Sequence, residues 1–157
     1  MVKKAVATMV LAVTALTGAA TAAADNHRLN DSVAVNVYTV QHHAGCTSEL
    51  RVDPALQLAA QWQAVDMLNN RALDADLGSD GSTTQDRARA AGFHGRVAQT
   101  VAINPAMAIT GVEIMRQWFN DPADLAIMSN CANTAIGVWS ENALDRTVVV
   151  AVYGQPA

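Results

Sequence analysis

The chain predicts an α+β fold, a single layered domain in which helices precede a β-hairpin. Three observations carry this expectation. Two stretches, opening at Asp53-Pro54 and Asn104-Pro105, place apolar residues at helical spacing behind a capping residue and a proline. The C-terminal part then changes period, with Ala135–Trp139 and Thr147–Tyr153 reading as strands. No internal repeat, low-complexity tract or composition break divides the chain into two domains.

Residues 1–24 read as a secretory signal peptide. Lys3 and Lys4 form its positive start, an alanine-rich apolar run follows, and Ala22-Ala23-Ala24 offers small residues for cleavage before Asp25. A retained anchor is the alternative, although the run is short for a spanning helix. The expected mature domain is residues 25–157, secreted to the extracellular space or held at the cell envelope. Lys3 and Lys4 are the only lysines of the sequence. The mature part therefore balances eight arginines against 14 acidic residues, a net charge near −6. With no basic cluster it lacks the footprint needed to hold a phosphate backbone, so nucleic acid is not an expected partner.

Within the mature part, Val33, Val37 and Val40 have helical spacing across Asp31–His42, while the many valines leave a strand open. The first proline-started helix takes Leu58, Trp62, Val65 and Leu68 as its apolar stripe and ends near Asn69-Asn70. Asp80-Gly81 is a turn signal, and Ser82-Thr83-Thr84-Gln85 has the form of a capping box for a short helix ending at Gly92. Val97–Ile103 suits an extended segment. From Asn104 a second long helix presents Ala108, Val112, Met115 and Phe119 on one face and Met107, Gly111, Ile114 and Trp118 on its neighbour. Asp121-Pro122 ends that helix or starts another turn. The hairpin has a polar turn over Ser140–Arg146, and its second strand is apolar almost throughout, as a central strand covered on both faces is.

Cys46 and Cys131 are the only cysteines. An even count in an exported chain favours a structural disulfide over two separately buried thiols. No G-x-S-x-G elbow, H-E-x-x-H helix or phosphate-binding glycine loop is present.

The order of motifs after Gly78 carries more. It runs from Gly78-Ser79-Asp80-Gly81 through Ala98-Gln99-Thr100-Val101-Ala102, Trp118, Asp121-Pro122-Ala123-Asp124 and Ala135-Ile136-Gly137-Val138-Trp139 to the last strand. From about Val35 to Tyr153 the chain resembles the CAP superfamily of cysteine-rich secretory, antigen 5 and pathogenesis-related (SCP-like) proteins, here of the bacterial secreted type. The resemblance implies an α–β–α sandwich with a central cleft that commonly holds two histidines and two acidic residues. The positions that match them are Asp76, Gln99 and Asp124, with Asp121 as a looser fourth.

Those replacements change the chemistry the resemblance implies. Imidazole suits zinc and copper, whereas carboxylate and amide oxygens suit calcium or magnesium. Asp76 and Asp124 are thus candidate ligands for a hard cation only, and no resident cofactor is expected. Each aspartate also has a structural reading, as a turn or cap residue. His94 lies in a loop expected near the cleft rim; His27, His42 and His43 lie outside the motifs. The function these expectations favour is a non-catalytic extracellular binding domain for a lipid, a sterol or a protein partner. Methionines at 67, 107, 115 and 128 supply adaptable apolar surface for such a ligand. The alternatives are a divalent-metal-dependent hydrolase working from the altered cleft, with Asp76 or Asp124 as base, and a structural factor of the envelope.

Overall fold

The computed structural model describes residues 18–157, with side chains from Asn26 onward. The elements in chain order are α1 (Gly18–His43), β1 (Arg51–Val52), α2 (Pro54–Asn69), α3 (Thr84–Ala91), β2 (Gly95–Asn104), α4 (Gly111–Asn120), α5 (Pro122–Met128), β3 (Ala135–Ala143) and β4 (Arg146–Pro156). The signal-peptide reading falls largely outside the described residues, and its cut before Asp25 lies within α1. Among the described residues no helix is long and apolar enough to cross a membrane.

The strands form one sheet in the order β1-β3-β4-β2. β4 lies at its centre, antiparallel to both neighbours, while β1 adds two residues parallel to β3. Successive β4 side chains serve two cores. Val149, Ala151 and Tyr153 pack with Val33, Val37, Ile114, Trp118 and Met128 from α1, α4 and α5. Val148, Val150 and Val152 pack with Leu56, Ala60, Ala64, Met67 and Ala88 from α2 and α3. Alternation that normally separates core from solvent here separates core from core, which is why the strand is apolar throughout. The result is the expected α–β–α sandwich in a single domain.

Asp53 caps α2, its carboxylate accepting from the amides of Ala55 and Leu56 at 2.8 and 3.1 Å. The face that α2 buries is the opposite of the expected stripe. Leu56, Ala59, Ala60, Gln63, Ala64 and Met67 turn inward, whereas Leu58, Trp62 and Val65 are exposed. Close approach decides this. A Cβ on Gly137 of β3 would stand 2.0 Å from the Gln57 amide nitrogen, so the helix backbone rests directly on the sheet. Three of the six inward residues are alanines, which permits so close an approach, while Leu58, Trp62 and Val65 are left outside.

One open alternative is resolved and three boundaries shift. Asp31–His42 is helical, within α1. The capping box of α3 is Thr83 with Asp86, one residue later than Ser82 with Gln85. Residues 105–110 are not helical. Their carbonyls are taken by hairpin side chains, Thr147 Oγ1 donating to Ala106 O at 2.8 Å and Asn142 Nδ2 to Met107 O, so α4 begins only where Thr110 caps Glu113. Ile114 and Trp118 are its buried pair; Val112 and Phe119 are exposed. At the hairpin, β3 and β4 extend to Ala143 and Arg146, so the polar stretch after Trp139 is mostly strand.

Cys46 and Cys131 form a disulfide across 85 residues. It joins the end of α1 to the loop between α5 and β3.

Candidate functional site

Three side chains secure the loop between α2 and α3. Gln63 of α2, fully buried, donates from Nε2 to the carbonyls of Ala75 and Leu77 at 3.4 Å each. Gln99 of β2 donates from Nε2 to the same Ala75 carbonyl, and its Oε1 accepts from Arg87 Nη2 at 3.2 Å. Arg87 lies beneath the loop, buried, and also donates to Ser82 O at 2.7 Å and Thr84 Oγ1 at 3.2 Å. Burial pushes its pKa down, opposed by the fields of Asp80, Asp66, Asp86 and Asp76. Asp76 is carried on this secured loop with its side chain exposed.

The second half of the site comes from α5. Asp121 ends α4 and caps α5, its Oδ1 accepting from Ala123 N at 2.8 Å and Asp124 N at 3.3 Å. Asp124 in the first turn is half-buried, and its carboxylate has no hydrogen-bond or ion-pair partner among the described residues. Burial first, then the charges of Asp121 and Asp76, push its pKa up to about 6. Its field also reaches Tyr153, whose buried phenol is 3.0 Å from Thr100 Oγ1.

The structure thus brings Asp76, Gln99, Asp121 and Asp124 around the middle of β2, in unequal roles. Gln99 is committed at both ends of its carboxamide, and Asp121 is a helix cap. Asp76 and Asp124 remain as two uncommitted carboxylates. Among the described residues no group of three or more His, Cys, Asp or Glu is arranged to hold a metal ion. Calcium takes about six to eight oxygens, and the third candidate donor here, Gln99 Oε1, already faces a guanidinium. The donor set does not fit a resident cation. His94 sits apart. It precedes β2, about 16 Å along the strand from Gln99 at strand rise, and lines a cavity with Gln85, Arg89 and Gln155.

Arg87 and Gln63 are the residues that sequence reasoning missed. An arginine on a short polar helix and a glutamine in a mid-helix position carry no signal of burial, because their partners are backbone carbonyls from a distant loop.

An apolar groove of about 650 Å³ opens on the other side of the α1/α4/α5 layer. Val40, Ala44, Met115, Phe119 and Leu125 form its walls, and Thr39 and His43 stand among its polar residues. Of the four methionines singled out in the sequence, Met67 and Met128 are core residues, Met115 lines this groove, and Met107 lines a separate cavity near the hairpin tip.

The sequence matches the profile of the cysteine-rich secretory protein family, CAP, over residues 34–153. No curated protein matches it in sequence. Among solved structures it is similar to an outer surface protein from Borrelia burgdorferi (TM-score 0.69, 16% identity, covering 81% of this chain and 92% of that one). It is also similar to an extracellular protein containing an SCP domain from Bacillus anthracis (TM-score 0.73, 15% identity, 90% of this chain and 45% of that one). A third is a cysteine-rich secretory protein from Staphylococcus aureus (TM-score 0.59, 12% identity, 83% and 39%). The chain therefore spans less than half of the last two.

Proposed function

The chain belongs to the CAP family of cysteine-rich secretory proteins, and from that premise we propose that it is a non-catalytic, extracellular binding domain whose ligand is a lipid with a single acyl chain. The supporting observation is the groove between α1, α4 and α5. Its volume of about 650 Å³ falls within the range of roughly 300–1,000 Å³ usual for small-molecule sites. Each methylene buried there would contribute about 0.8 kcal/mol. Thr39 and His43 give a polar head somewhere to lie, and Met115 adapts its shape to the chain.

The non-catalytic part of this reading is supported by the other site. Among the described residues no histidine or cysteine is gathered with Asp76 and Asp124, and Gln99 is held at both ends of its carboxamide. The alternative is a divalent-metal-dependent hydrolase. Its one support is the repulsion that raises Asp124, which a hard cation would relieve. A rise of melting temperature with millimolar calcium or magnesium at pH 7, abolished by Asp124→Asn, would favour it.

Titration with a fluorescent polyene fatty acid tests the main reading. Saturable binding is expected, weakened roughly tenfold by Leu125→Gln, which removes apolar wall at the cost of about 1.4 kcal/mol. Binding unchanged in Leu125→Gln, or absent altogether, would remove the groove from the account. A sterol that displaces the fatty acid would change the ligand class but keep the site.

A further inference from the structure

β2 is the outer strand of the sheet on the side of the acidic residues. Its register with β4 runs without interruption from Gly95 to Asn104, so alternate residues direct both backbone groups away from the sheet. The outward set is Gly95, Val97, Gln99, Val101 and Ile103. Its two ends are closed by side chains. Gln85 Nε2 donates to Gly95 O at 2.8 Å while its Oε1 accepts from Val97 N at 3.3 Å. Gln117 Oε1 accepts from Ile103 N at 3.2 Å while its Nε2 donates to Ile103 O at 3.0 Å. Each carboxamide supplies to β2 the donor and the acceptor that a fifth strand would supply there.

Between these two clamps, the N–H and C=O groups of Gln99 and Val101 have no hydrogen-bond partner among the described residues. Four backbone groups on a strand edge form a template for another chain. Charge surrounds that template. Gln99 and Thr100 point to opposite faces of the sheet, the first toward Ala75 and the loop of Asp76, the second toward Tyr153 and α5. Asp76 is carried on the loop that Gln99 holds and Asp124 on α5, which packs against β2, and the charge of Asp76 reaches Asp124. The nearby cation, Arg87, is turned inward and occupied.

We propose that the Gln99–Val101 edge is a strand-addition site for an extended peptide bearing lysine or arginine, its backbone pairing with Gln99 and Val101 and its cation lying against Asp76 and Asp124. Backbone pairing supplies affinity in this mode, and the carboxylates supply selectivity. Gln85 and Gln117 limit the site to a short segment and keep longer strands from adding along the whole edge. The site is separate from the apolar groove, so either assignment stands without the other.

Amide hydrogen exchange on the full folded chain, followed by NMR, tests this. In the free protein the Val97 and Ile103 amides are expected to exchange slowly, and those of Gln99 and Val101 quickly. The probe is a capped hexapeptide alternating threonine and lysine; it is expected to slow the Gln99 and Val101 amides by roughly tenfold at saturation. Asp76→Asn with Asp124→Asn, and a peptide carrying glutamate for lysine, are each expected to abolish that protection. A peptide N-methylated at alternate residues is expected to fail as well. Slow exchange of all four amides in the free protein would overturn the proposal. So would equal protection by the glutamate peptide, or protection that rises with protein concentration alone, which would assign the edge to a second copy of the chain.

Discussion

Arg87 Nη2 lies 3.2 Å from Gln99 Oε1, so a buried guanidinium ends on a neutral carboxamide. Among the described ion pairs none involves Arg87. The charge is solvated by carbonyl and hydroxyl oxygens instead, and by the diffuse field of the surrounding aspartates.

Gln99→Glu would supply that missing charge without changing shape. Beside Arg87 the new carboxyl would have a folded-state pKa below its unfolded value near 4.3. The stability it adds is therefore present above that value and lost as pH falls through the folded pKa. Protonated, it still donates to Ala75 O, as the amide does. The variant should exceed the wild type by about 1 kcal/mol at pH 7 and match it near pH 3. Urea denaturation at both pH values measures the difference; equal stability at pH 7 would mean that repulsion from the Ala75 carbonyl cancels the pair.

Arg87→Met keeps the stem and removes the head. It should cost about 2–4 kcal/mol, because Ser82 O, Thr84 Oγ1 and Gln99 Oε1 all lose a donor. The loop carrying Asp76 should loosen first. Faster amide exchange at residues 75–82, at denaturant levels too low for global unfolding, is the expected sign.

Asp124 titrates in the opposite sense from a paired carboxylate. Its folded pKa of about 6 lies above the unfolded value, so the folded state binds the proton more tightly. The associated stability is complete below about pH 4 and is lost as pH rises through 6. Asp124→Asn should then stabilise the protein at pH 8 by an amount of order 1 kcal/mol after solvent screening. At pH 4 it should change nothing. Melting curves at the two pH values decide this.

Gly137→Ala should prevent normal folding or cost roughly 3–5 kcal/mol, since its Cβ meets α2 backbone at 2.0 Å and neither element can give way cheaply. Gly111→Ala is the internal control. There the nearest atom is Ser32 Oγ at 3.4 Å, and the change should be neutral or slightly stabilising.

Replacing both cysteines by alanine should lower stability by up to about 4–5 kcal/mol, the chain-entropy value for a closed loop of this length. A midpoint shift in urea with an unchanged native circular dichroism spectrum would place the effect in the unfolded state.

Much of this fold is legible in the sequence because its cues are local. Asp53-Pro54, Gly92 and Asp121-Pro122 act within a turn of themselves, and the valines of β4 declare a strand with two buried faces. The inward face of α2 is not legible. Its alanines are chosen by contact with Gly137, some 80 residues away, and a hydrophobicity pattern gives weight to the large residues instead. The site divides in the same way. Position in the family pattern points to Asp76, Gln99, Asp121 and Asp124. It does not reveal that Gln99 is held at both ends, since Arg87 and Ala75 meet it only in three dimensions. Nor does periodicity show that Gln85 and Gln117 close the edge of β2.

β4 has one further consequence, which concerns the chain before it folds. Thr147–Tyr153 is uncharged, free of proline and rich in β-branched residues, the composition that self-associates when left unpaired. In the native sheet it is shielded by β2 and β3 and by both helical layers, but β2 precedes it by about fifty residues. β2 therefore waits for β4, its sheet neighbour among the described residues, until the chain has been made as far as residues 146–156. The strands that shield the hazardous segment are thus already made when it appears, and the sheet closes only once β4 is present, with Arg146 as the charged gatekeeper at the entrance to the strand.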